Sequence, residues 1–398
     1  MAHAADGLRS GARDRIAWCV AAVVVLGNLI VLRPVLFPGD ARLLRDAETA
    51  FLEARYTDAE LLARTYLAHH PQASQAWLIA GESAVKLQAN ERALECFAQI
   101  PDDGSAIGMR ALYGRGNRLL NQGRIREAER CLRRVIEWQP EHLGAATDLT
   151  YLLEVEGRTF EALPYLWQLV RSGRVSGDHL LMAGSTESVS LREWSFVERC
   201  RAAVPEDPLP LLGRACVALR NSDYAAARQL LGEVLQHDPQ LTEGQARLGR
   251  LLLDLHDDPG FTEWLRQLPP DLTPHPDIWV NRGIWARRQG QPRAAARCFW
   301  EAVALHPNHA AANHHLSQTL NALGEKQAAE VFAQRAQRLN RVEYALRDIG
   351  EGAEMFQTVA QELEHLGRDW EAAAWYRALL GFRAPPPWAE PEFTRLAA

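Results

Sequence analysis

Small residues return at a nearly constant interval along the chain, and the apolar positions between them repeat every three or four residues. Ala47, Gly81, Gly116, Thr150, Gly184, Ala215, Gly249, Gly283, Ser317 and Ala360 are separated by 34, 35, 34, 34, 31, 34, 34, 34 and 43 residues. Twelve residues after them stand Ala59, Ala93, Ala128, Ala162, Phe196, Ala227, Phe261, Ala295, Ala329 and Ala372. This spacing predicts two amphipathic helices per interval: the first carries a small residue where a neighbouring helix must approach closely, and the second opens on alanine. Residues 111–140 show the unit most fully, with Gly116, Ala128 and Pro140 and the turn Asn121-Gln122-Gly123-Arg124. An all-α array of about ten helix pairs follows from the period.

Local signals punctuate the array. Gly123, Gly157, Gly290, Gly324 and Gly367 fall at the turns inside pairs, where a left-handed residue ends a helix. Thr57 with Glu60 reads as a capping box, and Asn90, Asp223 and Asp369 read as single caps of second helices. Pro164 is expected close enough to its helix start for its missing N–H to fall among the unpaired first-turn donors. The prolines of 254–276 predict a shortened repeat and an irregular joint at 269–276, between a first block over 40–268 and a second over 277–384. The long last interval predicts an extended helix through Arg338 to Asp348, and 385–398 reads as a Pro-rich tail, extended or disordered.

This combination resembles the tetratricopeptide repeat family, over about residues 40–384. Trp77 and Trp279 match that family's aromatic position four residues before the small one, at Gly81 and Gly283. Phe97, Phe299 and Tyr376 match its bulky second-helix position, and Pro71, Pro140, Pro208, Pro239 and Pro307 its closing proline. The resemblance implies a right-handed superhelical solenoid whose inner surface, lined by first helices, grips peptides or partner helices. Carried over residue by residue, the groove includes Tyr113, Asn117 and Asn121, then Thr147, Tyr151 and Glu154, with Glu82 and Lys86 upstream and Arg287, Arg288, His314, Gln318 and Asn321 downstream. Asn117 stands where a clamp for carboxylates would have Asn, but Tyr113 replaces the lysine of that clamp, so a C-terminal carboxylate clamp is not expected.

The N-terminal region differs in kind. Ile16 to Leu32 contains Asn28 as its one polar residue, follows Arg9, Arg13 and Arg15, and is extended by Val35, Leu36 and Phe37 if Arg33 snorkels. At 1.5 Å per residue, 16–37 covers about 33 Å, enough for a hydrocarbon core. It reads as a single transmembrane helix behind a short basic tail over 1–15, because 36–40 lacks the small-residue pattern of a cleavage site. The basic tail favours a cytoplasmic N terminus with the array on the opposite side of the membrane.

Composition narrows the function classes. The net charge is −6, with arginine carrying nearly all the positive charge because lysine occurs only at Lys86 and Lys326, and nucleic-acid binding is not favoured. Cys19, Cys96, Cys131, Cys200, Cys216 and Cys298 form neither CxxC pairs nor a disulfide framework and read as small buried residues. His306, His309, His314 and His315 are the one cluster dense enough to weigh as a metal site, but no Cys or carboxylate completes the spacing. No nucleophile or phosphate-binding motif is present, so neither catalysis nor a cofactor is expected. The expectation is a membrane-anchored, non-catalytic scaffold for protein or peptide partners. Its rivals are an enzyme or metal protein with a cryptic groove site, and a structural envelope protein self-associating through Trp370, Trp375 and an uncapped last repeat.

Overall fold

The computed structural model describes residues 38–173, 177–184, 194–347 and 352–397, and every regular element among them is helical. The predicted anchor at 16–37 lies outside them. Among the described residues no helix is long and apolar enough to cross a membrane. The chain divides into two compact units, 1–118 and 119–398.

The first unit holds α1 (Pro38–Leu52), α2 (Tyr56–Leu67), α3 (Ser74–Lys86), α4 (Asn90–Ala98) and most of α5 (Ala106–Asn121). Its core is alanine-rich, with Ala47, Ala50, Ala59, Ala63 and Ala80 packed beside Ile79 and Cys96. A Cβ on Gly81 would lie 2.6 Å from Phe97 Cε1, and one on Gly114 would lie 2.8 Å from Phe97 Cζ. The predicted small and bulky positions therefore meet, with the Phe97 ring filling the space that two glycines leave.

The second unit opens with the second helix α6 (Ile125–Trp138), then the pair α7 (Leu143–Val155) and α8 (Thr159–Ser172), then α9 (Gly177–Gly184). It continues through α10 (Trp194–Ala203), α11 (Leu209–Arg220), α12 (Tyr224–His237), α13 (Thr242–Asp254) and α14 (Asp258–Gln267). After an eight-residue connection come α15 (Pro276–Arg288), α16 (Pro292–Leu305), α17 (Ala310–Ala322) and α18 (Lys326–Arg347). The last elements are α19 (Ala353–His365), α20 (Asp369–Leu380) and α21 (Ala389–Ala397). Gly283 repeats the contact seen at Gly81, since a Cβ there would lie 2.5 Å from Phe299 Cε1. At Phe261, where the period expects alanine, the ring is buried in a cluster with Trp264, Leu252 and Ile278, and Gly249 makes room for the Trp264 indole.

One turn geometry recurs inside the pairs. The five expected glycines have φ between +70° and +88°, and Ala54, Gln88, Ser222 and His256 occupy the same turn position with φ of +60°, +58°, +59° and +54°. The residue after each sends its N–H back five residues, as Ala89 does to Ala84 O at 2.9 Å and Gln291 to Ala286 O at 2.9 Å. This closes the first helix with a Schellman-type bond and leaves the next residue as cap of the second.

That geometry corrects three expected caps. Second helices start directly behind the left-handed residue, so α2 is capped at Arg55, α4 at Ala89 and α20 at Arg368 rather than at Thr57, Asn90 or Asp369, none of them with a side-chain cap bond. In place of the box, arginine at the cap grips the acid three residues on: Arg55–Asp58 at 2.8 Å, Arg124–Glu127 at 2.7 Å, Arg158–Glu161 at 2.9 Å and Arg368–Glu371 at 2.7 Å. The acid sits against the helix N-terminus, where its charge is favoured. Asp223 does cap α12, accepting from Ala226 N at 3.1 Å.

Other expectations change locally. Pro164 lies inside α8 as its sixth residue, beyond the unpaired first turn, and removes the helical bond the Phe160 carbonyl would accept. The connection over 268–275 sits within the second unit, where Leu268 and Leu272 pack against the Phe261 cluster, and Pro276 already opens the next helix. The extended helix is present as α18, 22 residues long. The tail is not extended: α21 forms behind the three prolines, and Trp388, Ala389, Phe393 and Leu396 pack on Trp375, Tyr376 and Leu379. Pro391 falls in the first turn of α21, where no N–H is required.

Within the second unit the stack returns on itself. Trp167 of α8 meets Trp370 of α20 edge-on at 6.5 Å between ring centroids, and the Arg171 guanidinium lies 4.7 Å over the Trp370 ring. Val170 and Leu180 share a core with Val342, Leu346, Trp375 and Leu379.

Candidate partner-binding surface

Two neighbouring first helices present a polar row. Arg287 Nη1 donates to Gln318 Oε1 at 3.1 Å, and Gln318 Nε2 lies 2.9 Å from His314 Nε2, so α15 and α17 are joined across their exposed faces. Arg287, His314 and Gln318 are all solvent-exposed, while Ala312, Asn313, Leu316 and Ser317 of the same helix are buried. Arg288 points elsewhere, donating to Leu253 O at 3.0 Å and lying 3.6 Å from Asp258. It is a strut, not a member of the row.

The other expected groove residues have different surroundings. In the first unit Tyr113 is half-buried, Asn117 accepts from Arg118, and Glu82 holds Arg110 at 2.8 Å. In the second unit the Asn121 carbonyl accepts from Arg199 at 3.1 Å. Thr147 bonds back to Leu143 O at 2.9 Å, and Tyr151 packs on Phe196 at 5.4 Å. No residue from 142 to 160 is fully exposed, Glu154 included, so the first helix of this pair is enclosed rather than open.

A buried network at the starts of α13, α15 and α17 was not apparent from motif reading. His275 Nδ1 accepts from Asp277 N at 3.2 Å, and His309 Nδ1 from Ala312 N at 3.2 Å, so each imidazole caps its own helix. Each then reaches back one repeat: His275 Nε2 lies 2.9 Å from Glu243 Oε2, and His309 Nε2 lies 2.8 Å from Asp277 Oδ1. The signal was in the period, since Glu243 and Asp277, like His275 and His309, stand 34 residues apart. Burial disfavours the charged carboxylates, but Arg247 and His275 hold Glu243, and His309 holds Asp277, below the usual carboxylate range.

Among the described residues, Glu243, His275 and Asp277 bring potential metal-ligand atoms within 4.8 Å of one another. Their hydrogen bonds argue against that use. A backbone N–H on Nδ1 requires the proton on Nε2, so the nitrogen facing the carboxylate is a donor and has no lone pair for a cation. His306 and His315 are separate from this bonding. Burial first, then neighbouring positive charge, lowers His306 to about 3 and His315 to about 4, and His315 stacks on Phe299 at 5.2 Å.

A second buried cluster joins α6 to α8. Arg158 bonds Glu129 at 2.8 Å and Glu156 at 2.6 Å, while Glu129 also bonds Arg133 at 2.7 Å. Three carboxylates, counting Glu161, thus face two guanidiniums. Burial outweighs the pull of Arg158 and pushes Glu156, the most enclosed of the three, up to about 8.

Family models described as tetratricopeptide repeats match residues 44–106, 113–174, 218–279 and 281–344, well over half of the chain. The chain belongs to the tetratricopeptide repeat family. Among the curated proteins compared with it, none matches. Similar solved structures include the APC/C hetero-tetramer Cut9–Hcn1, 13% identical over 92% of this chain and 91% of that one, with a TM-score of 0.33. A tetratricopeptide repeat protein from Parabacteroides merdae is 13% identical over 71% and 98%, with a TM-score of 0.30. YrrB, described as having an unusual peptide-binding site, is 12% identical over 50% and 97%, with a TM-score of 0.31.

Proposed function

We propose that this tetratricopeptide repeat protein is a non-catalytic scaffold, tethered to a membrane by residues 16–37, that binds protein or peptide partners on exposed first-helix faces. The observation that carries the reading is the row Arg287, Gln318 and His314. It is polar, solvent-facing and linked between adjacent repeats, whereas the seam residues behind it are buried. Side-chain amides and a guanidinium in such a row offer donors and acceptors to a peptide backbone. Tethering would raise the local concentration of a partner near the membrane, so modest affinity suffices. We place the N terminus in the cytoplasm and the array across the membrane.

Crosslinking with mass spectrometry on the native membrane fraction tests this. The expected result is detergent-dependent extraction and crosslinks from α15 and α17 to another protein. Extraction by salt alone removes the tether, and crosslinks confined to the chain itself remove the scaffold.

Self-association through Trp375 has lost its basis, because that ring is 1% exposed beneath α21 and α19. Trp370 is likewise engaged with Trp167 and Arg171.

A further inference from the structure

The long helix α18 creates a feature the regular repeat lacks. Its 22 residues exceed the 14 of α16, which sets the next first helix about 12 Å farther along at 1.5 Å per residue. The result is a cleft of about 710 Å³ floored by α18 and flanked by α17 and α19. Its floor on α18 is small and apolar at Ala333, Ala336 and Ala345 and carries the amides of Gln337 and Asn340, and Tyr344 stands at the edge 73% exposed.

Two arginines meet one buried acid beside this cleft. Arg341, which lines it, lies 2.9 Å from Glu362, and Arg338 lies 3.2 Å from the same carboxylate. Glu362 is buried and sits one turn beyond Thr358 on the flank of the cleft. Two guanidiniums share one acid, so Arg341, still 54% exposed at its side chain, has donors left for a second anion.

We propose that this cleft is a docking slot for an extended acidic peptide of a partner protein. Apolar side chains of the peptide would lie on the alanine floor, its backbone would meet Gln337 and Asn340, and a Glu or Asp carboxylate would pair with Arg341. The slot rests on the scaffold reading and adjoins the Arg287 row, because His314 lines both, but its anion partner is Arg341.

The test uses the full chain in detergent and a fluorescein-labelled nonapeptide of alternating Leu and Glu, compared with its Leu–Gln and Leu–Lys counterparts, by fluorescence anisotropy. The Glu peptide should bind at least about tenfold tighter than the Gln peptide, and the Lys peptide should not bind. Arg341→Gln should abolish the preference for Glu over Gln, and Asn340→Trp, which fills the cleft with its charge intact, should weaken both peptides. Circular dichroism melts confirm that each variant is folded. Equal binding of the Glu and Gln peptides, or unchanged binding in Asn340→Trp, overturns the slot. If Glu-peptide binding is lost in Arg287→Ala and retained in Arg341→Gln, the slot fails while the scaffold reading stands.

Discussion

His275 Nε2 lies 2.9 Å from Glu243 Oε2 and His309 Nε2 lies 2.8 Å from Asp277 Oδ1, the same bond repeated one helix pair later. Each imidazole does two jobs, satisfying an unpaired N–H of one helix and pairing with an acid of the previous one, buried at Glu243 and half-buried at Asp277.

His275→Ala should therefore cost about 2–4 kcal/mol, since it strips a cap and leaves Glu243, 5% exposed, with one donor fewer. His275→Asn should cost less, because its amide can cap the helix yet is too short for Glu243. Urea denaturation of the two variants measures both. Equal losses would mean that the interhelix bond contributes nothing.

The left-handed turn residues predict changes of opposite sign. Gln88→Gly and His256→Gly each remove a strained side-chain position and should stabilise by roughly 0.5–1 kcal/mol. Gly290→Ala should destabilise by about 1 kcal/mol, and for backbone reasons alone, because a Cβ there meets nothing within 4 Å. Thermal melts of the three variants decide the matter.

Seam contacts give a packing prediction. Gly283→Ala drives a methyl to within 2.5 Å of the Phe299 ring and should cost about 1–3 kcal/mol. Adding Phe299→Leu should recover part of that loss, which a double-mutant cycle measures.

Glu156 predicts a pH dependence. Its folded-state value, about 8, lies above the usual carboxylate value of 4.5, so above pH 4.5 the folded chain holds a proton that the unfolded chain has released. Stability from this group falls as pH rises from about 4.5 to about 8 and then levels. Glu156→Gln should flatten that slope and raise stability at pH 8 by on the order of 1 kcal/mol. An unchanged slope between pH 6 and pH 8 would place the proton elsewhere.

The repeat was legible because close packing allows few residues at its seam: Gly81 and Phe97, or Gly283 and Phe299, are legible at fixed spacing. Caps were less so. Thr57 and Asp369 have suitable side chains, but the turn geometry sets the helix start one or two residues earlier. The tail misled for a related reason, since Pro385, Pro386 and Pro387 stop one helix without preventing the next. Of the expected groove, Arg287, His314 and Gln318 lie together and exposed, whereas Tyr151 and Thr147 do not. Their surroundings depend on Phe196 and α8, tertiary neighbours that local spacing cannot announce.

A stack whose members touch only their neighbours can open piece by piece, each repeat melting at its own threshold. The indoles of Trp167 and Trp370 meet across 203 residues of chain. Detaching α20 therefore also uncovers α8, and the two cannot open independently. Hydrogen exchange in the 159–172 and 369–380 segments should accordingly share one opening free energy, giving this part of the array the all-or-none behaviour of a globular domain.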